Sequence, residues 1–504
     1  MSDGRERDGG SSRTASELDP RRWRALVVML MGQFSALLDV SVTNVALPSI
    51  GRSTGAGPAE LQWIVSGYIL AFGLMPVIGG RLGDTRGRRR MFVIGVTGFV
   101  LASACVGLAP TPIVLIVARV VQGMFGGIIG PQVSGYIQSA FPRSERGRAF
   151  GGLGLTVGVG TALGPVVGGL LIAAGGPEFG WRLVFFINVP IGIAAVVLAR
   201  LWVPRLEPTG TTASGRLDLG GALLLGAGLL CVLFPIVEVN ELHSGWVFML
   251  LVPAAGLIAL FVRREARLTR LSASPLLDLR LFRVPTFVTG VAFAVVFFCS
   301  NTGIPLVLSL YYQNGLGFSA LESGLGVSAL ALGSVLGAPV AGRLVNRIGR
   351  PLVVGAVLLF FVATIATGLI VHGDPGLTSP LEVILRLVLP LFALGIAGGA
   401  IVTPNQTLTL MDVDPRMGGA AGGVLQTAQR VGSATGQTVL GTVFVVALGG
   451  AATSRVEGTA APDPGSFADS LSLALIVSLV FSGAALTLGI VDLRRTRRLA
   501  ARGR

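Results

Sequence analysis

The chain has 504 residues, 52% of them apolar and only 13% charged, with a mean hydropathy of +0.77 and a formal charge of +14. A soluble domain carries about 25% charged residues, so most of this chain is built to lie in lipid. Its positive charge would suggest nucleic acid in a soluble protein, but here it falls in short loops between apolar segments. All 39 basic residues are Arg; without Lys there is no phosphate-binding Gly-Lys-Ser/Thr loop and no Schiff base. Energy for any work must come from a gradient or a partner.

Spans of about 20 apolar residues cross a bilayer, and 14 can be read in chain order. Residues 1–24 are polar, rich in Gly, Ser and Arg, and read as a disordered cytoplasmic tail. Arg21-Arg22-Trp23-Arg24 superficially resembles a twin-arginine export signal. The span behind it is full length and has no small-residue cleavage site, so it reads as an uncleaved anchor. Spans at 25–47, 60–80, 91–109, 112–137, 149–174 and 181–202 follow, with Pro110-Thr111-Pro112 parting the third from the fourth. Two more lie at 217–239 and 246–262, the latter short. The last six run over 286–312, 320–342, 351–371, 382–410, 418–448 and 470–492. Residues 453–469 form the longest outside loop, and 493–504 a basic cytoplasmic tail.

Short cytoplasmic loops carry the excess of basic residues. With both termini inside, only Arg52, Arg182 and Arg455 fall outside, Arg119, Arg386 and Arg430 fall within helices, and every other Arg is cytoplasmic. One missing or extra span would scramble that alternation. Cys105, Cys231 and Cys299 sit in apolar segments and read as small core residues. His243 and His372 lie in separate loops, so no disulfide, metal site or cofactor framework is visible.

The loop Gly79 to Arg90 follows Gly80-x-Leu82-x-Asp84-x-x-Gly87-Arg88-Arg89. A degenerate copy runs from Gly342 to Arg350, with Asn346 where the first copy has its acid. Parallel six-helix repeats are one transporter architecture. Aligning the copies makes 25–202 one six-helix bundle and 286–492 the other, and leaves 203–285 as an inserted helix pair. The fold class is thus all-α and polytopic.

Four motifs carry a resemblance over about residues 25–492: the opening loop; Leu38-Asp39-x-x-Val42-x-Asn44-Val45-Ala46-Leu47-Pro48 in helix 1; Arg119-x-x-Gln122-Gly123-x-x-Gly126 in helix 4; and Gly160-x-x-x-Gly164-Pro165-x-x-Gly168-Gly169 in helix 5. Trp181-Arg182-x-x-Phe185-x-x-Asn188-x-Pro190 adds to them. In these the chain resembles the major facilitator superfamily, and within it the 14-helix drug:proton antiporters. The resemblance implies proton-driven export of amphipathic small molecules by alternating access, in the cell membrane, with neither cofactor nor obligate protein partner. It also implies that Asp84 latches the outward-open state and that the helix 5 glycines seal a bundle interface against proton leak.

The residues have their own physical reading. Asp84 lies at the inner end of helix 2, and helix 13 starts on the same side with the positive end of its dipole. Arg143, Arg146 or Arg148 are candidates to complete that charge network. Asp39 and Arg119 lie ~10–12 Å below the outer surface at 1.5 Å per residue. Burial disfavours a charged carboxylate and a neighbouring Arg favours it, so a moving cation can tip the balance; a permanently paired, merely structural Asp–Arg is the alternative. Gln33, Asn44, Tyr68, Gln122 and Arg430 are candidate cavity residues. Tyr311, Tyr312 and Gln313 read as an outer interfacial belt. Few deep carboxylates point to monovalent cationic or neutral substrates.

Overall fold

The computed structural model describes residues 19–205, 218–242, 245–271, 275–373, 379–453 and 464–502. The tail before residue 19, His243 and most of the loop 453–469 lie outside them. Among the described residues, fourteen helices are long and apolar enough to cross a membrane. They are α1 (Arg22–Thr54), α2 (Ala59–Arg86), α3 (Arg88–Gly107), α4 (Pro112–Ala140), α5 (Arg143–Gly176), α6 (Glu178–Trp202) and α7 (Leu219–Ile236). Then follow α8 (Trp246–Arg270), α9 (Pro285–Gly315), α10 (Leu321–Ile348), α11 (Arg350–Gly373), α12 (Pro380–Thr409), α13 (Pro415–Gly449) and α14 (Gly465–Arg495).

Local chemistry starts and stops these helices where the chain must turn. Pro112, Pro285 and Pro380 occupy first turns, where a missing N–H costs nothing. Ser319 and Glu322 cap α10 reciprocally. Gly87 and its repeat partner Gly349 take positive φ, +94° and +69°, which lets α2 and α10 fold sharply into the next helix. The α5–α6 boundary is a tight turn at Gly176, in positive φ, and the chain folds back so closely that a Cβ on Gly180 would stand 2.4 Å from the Ile172 carbonyl oxygen. Pro165 leaves α5 unbroken, Gly176 being its one non-helical residue.

Helix packing follows the repeat. Within the first bundle α1 packs on α5 and α6, α4 on α2 and α3, and α3 on α6. The second bundle repeats each pairing eight helices on: α9 with α13 and α14, α12 with α10 and α11, α11 with α14. Across the bundles the matching contacts are α2 with α13 and α5 with α10. The inserted pair packs α7 on α8, and α7 also lies against α2 and α13 at one seam.

Three expectations are corrected here. The eighth helix is not short: it extends to Arg270, because its Arg-rich end continues past the apolar segment. Tyr311 and Tyr312 are buried, not interfacial; they close α9 in a π turn, and Tyr312 stacks on Phe318 at 5.6 Å. Cys105 is exposed on α3 instead of packed in the core.

Candidate functional site

The first bundle contains a buried polar cluster assembled from five helices. Asp39 on α1 and Arg119 on α4 are each 1% exposed, and Arg119 Nη1 donates to Asp39 Oδ2 at 2.5 Å. The other carboxylate oxygen accepts from Gln122 Nε2 at 2.9 Å and Asn188 Nδ2 at 2.8 Å. Asn188, on α6, is itself held by Ser35 Oγ of α1 and donates to Ser103 Oγ of α3. Arg119 also donates to Gln122 Oε1 at 2.8 Å and, through Nε, to the carbonyl of Ile64 on α2. Its guanidinium lies 4.1 Å from the Tyr68 ring, a cation–π contact that gains strength away from water.

A buried ion pair costs desolvation that only good geometry and further hydrogen bonds offset. Here both oxygens of Asp39 are occupied, by two neutral amides and one guanidinium that faces the Tyr68 ring, and among the described residues no second acid is bonded in the cluster.

The second cluster lies at the Arg-rich end. Asp84, 3% exposed, accepts from the backbone N–H groups of Gly419 at 3.0 Å and Ala420 at 2.9 Å, at the N-terminus of the α-helical part of α13. Those are orphan donors at a helix start, with the positive end of the dipole behind them. Arg88, 6% exposed, donates to Asp84 Oδ1 at 2.9 Å and to the carbonyls of Gly135 and of Pro415 across the bundles. A Cβ on Gly80 would stand 2.1 Å from the Gly419 carbonyl oxygen, so only glycine lets α2 and α13 cross this closely. Among the described residues neither Arg143, Arg146 nor Arg148 bonds Asp84; Arg146 instead donates to the carbonyls of Gln138 and Phe141, and Arg88 completes the network. Arg89 donates to the Arg200 carbonyl and takes no part in the bonds to Asp84.

The degenerate loop sits across the other seam. Asn346 Nδ2 donates to the carbonyl of Ser144, and the backbones of Gly147 and Gly342 approach to where neither could carry a Cβ. Arg350, the counterpart of Arg88, turns inward to Asp492 Oδ2 of α14 at 2.6 Å.

The helix 5 glycines divide differently from the expectation. Added Cβ atoms on Gly160, Gly164 and Gly168 would meet Leu37, Ser41 and Val42 of α1, in the same bundle. Gly147, Gly151, Gly154 and Gly158 face Gly342, Ala338, Thr403 and Val335 of the other bundle. Small residues bring membrane helices close, and α5 uses one such row on each side. Pro165 and Gly169 are exposed, and nothing lies within 4 Å of a Cβ at Gly169. Of the candidate cavity residues, Gln122 and Tyr68 belong to the Asp39 cluster, and Gln33 is buried with its carbonyl oxygen unpartnered. Asn44 is exposed and outside the cluster. Arg430 is half-buried midway along α13.

A profile of the Major Facilitator Superfamily matches residues 29–437. The chain belongs to this superfamily. Fold and family are those of transporters, not of an enzyme, and the chain is a multi-pass membrane protein. It is 37% identical to a probable actinorhodin transporter of Streptomyces coelicolor over 87% of this chain and 75% of that one. It is 32% identical to a tetracenomycin C resistance and export protein of Streptomyces glaucescens, over 88% and 80%. Among solved structures it shares its fold with the human organic anion transporter MFSD10, with a TM-score of 0.63 at 15% identity, covering 92% of this chain and all of that one.

For this superfamily member, Asn188, Ser35 and Ser103 are the site residues that sequence reasoning did not single out. Asn188 stood in a recognised stretch of helix 6, but nothing in helical periodicity aims it at Asp39. An amide inside the otherwise apolar run of α6 was the available signal.

Proposed function

We propose that this protein is a proton-driven antiporter that exports amphipathic small molecules, such as drugs, dyes or a self-made antibiotic, by alternating access. The observation that carries the reading is the Asp39 carboxylate, buried at mid-cluster and held by one cation and two amides drawn from two other helices, α4 and α6. Proton uptake at Asp39 neutralises it and releases Arg119, which retains Gln122 and the Ile64 carbonyl; proton loss restores the pair. Because the cluster ties α1, α4 and α6 together, the exchange changes the packing of the bundle. A relative named as an export protein supports the outward direction.

In this reading the Arg-rich end is cytoplasmic, both termini are inside, and the protein sits in the cell membrane. The seams described above, Asp84 on α13 and Asn346 on α5, are closed at that end, which corresponds to an outward-facing conformation. The six-helix units at 25–202 and 286–492 rock about the substrate between them. Asp39→Asn tests the proposal in inverted vesicles energised with a proton gradient. The variant should reach the membrane in normal amount and show no gradient-driven dye accumulation. Normal pumping by the variant, or efflux in wild type that survives a protonophore, would sink proton coupling; gradient-driven dye loss from the inverted vesicles would reverse the direction.

A further inference from the structure

Midway along α13 a polar row interrupts an apolar helix: Gln426, Arg430, Ser433 and Gln437 follow one another at i, i+4, i+7 and i+11, and all are partly or fully exposed. Ionisable and polar groups inside a membrane face a cavity or a partner. Gln426 reaches Ser134 of α4 across the bundles at 3.3 Å, which points the row to the space between the bundles. Arg430 stands about 16 Å above Gly419 at 1.5 Å per residue, close to the bilayer midplane.

Among the described residues Arg430 has no acid within ion-pair distance and no hydrogen-bond acceptor. Its one directed contact is the Phe72 ring of α2, 4.7 Å from the guanidinium. Phe72 stacks on Tyr68 at 5.7 Å, and the Tyr68 ring lies against Arg119. One aromatic pair therefore separates the unpaired cation of the second bundle from the paired cation of the first. Arg119 is matched by Asp39, and among the described residues Arg430 has no such partner.

We propose that Arg430 is the anion-recognition residue of the space between the bundles, and that the transported molecules carry a carboxylate or an ionised phenol. The guanidinium offers such a group charge-assisted, bidentate hydrogen bonding, in a place where water competes poorly. The scarcity of deep carboxylates, read from sequence as favouring cationic or neutral substrates, fits an anionic one once the unpaired Arg is placed. The inference deepens the exporter reading and rests on it, but its test needs no gradient.

Two dyes sharing a xanthene core serve as probes: fluorescein, an anion, and rhodamine 6G, a cation. Their binding to purified full-length protein is followed by fluorescence polarisation, without a membrane potential. Wild type should bind fluorescein more tightly than rhodamine 6G, and benzoate should displace the fluorescein where tetramethylammonium does not. Arg430→Gln should weaken fluorescein binding tenfold or more and leave rhodamine 6G unchanged or tighter; Arg430→Lys, which keeps the charge, should retain part of the affinity. Absent fluorescein binding by folded wild type, wild-type preference for rhodamine 6G, or an equal fold-change for both dyes in Arg430→Gln overturns the proposal. Should Arg430→Gln not fold, the benzoate competition and Arg430→Lys decide it. Correct anion binding alongside normal pumping by Asp39→Asn would refute the proton coupling and leave this site standing.

Discussion

Asp84→Asn should open the Arg-rich end of the molecule. The carboxylate accepts from Gly419, Ala420 and Arg88, each bond charge-assisted. Asn keeps one acceptor oxygen and places an amide N–H₂ where a second acceptor was, facing a backbone donor. Hydrogen bonds to charged groups contribute about 1.5–3 kcal/mol, and the helix dipole adds up to about 2 kcal/mol in buried geometries. Removing one member of a buried ion pair costs about 3–5 kcal/mol, since it strands the other, here Arg88. Part of this is lost equally in both conformations, because Arg88 and Asp84 share a bundle; of the bonds to Gly419 and Ala420 one is lost and the other loses its charge, and both effects fall only on the closed one. Those two bonds give a shift of about 3 kcal/mol, or roughly two orders of magnitude in the closed-to-open ratio. Spin labels at Arg86 and Arg347, exposed positions at the ends of α2 and α10, report it by electron–electron distance measurement after the three native cysteines are replaced. The distance distribution should move from a short population to a mixed or long one. Superimposable distributions for wild type and a monodisperse Asp84→Asn protein would refute the latch.

Asn188→Ala removes a 2.8 Å donor from Asp39 and strands Ser35; it should lower thermal stability in detergent by about 1–3 kcal/mol and slow efflux, both checked on the purified and the vesicle-borne protein. Gly164→Ala and Gly169→Ala make a matched pair: the first puts a Cβ 2.3 Å from Ser41 Cβ, the second meets nothing within 4 Å, so only the first should depress the melting temperature and transport. At the mouth of the inserted pair, the Arg264 side chain holds the Asp218 carboxyl below its usual range. A carboxyl lowered by folding stabilises above its unfolded value of about 3.9 and loses that contribution as pH falls through the folded value. Arg264 is half-exposed and the effect is small, but wild type and Asp218→Asn should differ at pH 7 and converge below about pH 4, as thermal scans across pH would show.

Much of this molecule was legible without coordinates, for reasons that are local or one-dimensional. Bilayer thickness sets span length, so fourteen apolar runs became fourteen helices. The repeat of Gly80–Arg89 at Gly342–Arg350 paired the bundles, and the depth of Asp39 and Arg119 could be computed from helical rise alone. Glycine at 87 and 349 marked the sharp turns because a positive φ is cheap there only for glycine. What failed were statements about direction. Tyr311 and Tyr312 looked interfacial by position, yet a π turn rotates them inward. The 160–168 glycines looked like the inter-bundle surface, yet they face α1.

Sequence by itself determined that the chain carries fourteen membrane-length helices, that it is built from two copies of one bundle, and which acids lie within an apolar span or at a helix end. Those properties depend on length, composition and spacing, which the linear chain carries. Only the tertiary structure decided which donors converge on Asp39, that Arg88 and not an α5 Arg completes the Asp84 network, and that Arg430 has no acid within ion-pair distance among the described residues. Each of those depends on the rotation of one helix about its axis relative to another. Lipid and protein interior are equally apolar, so in a membrane chain hydrophobic periodicity does not report that angle; close packing of small residues sets it.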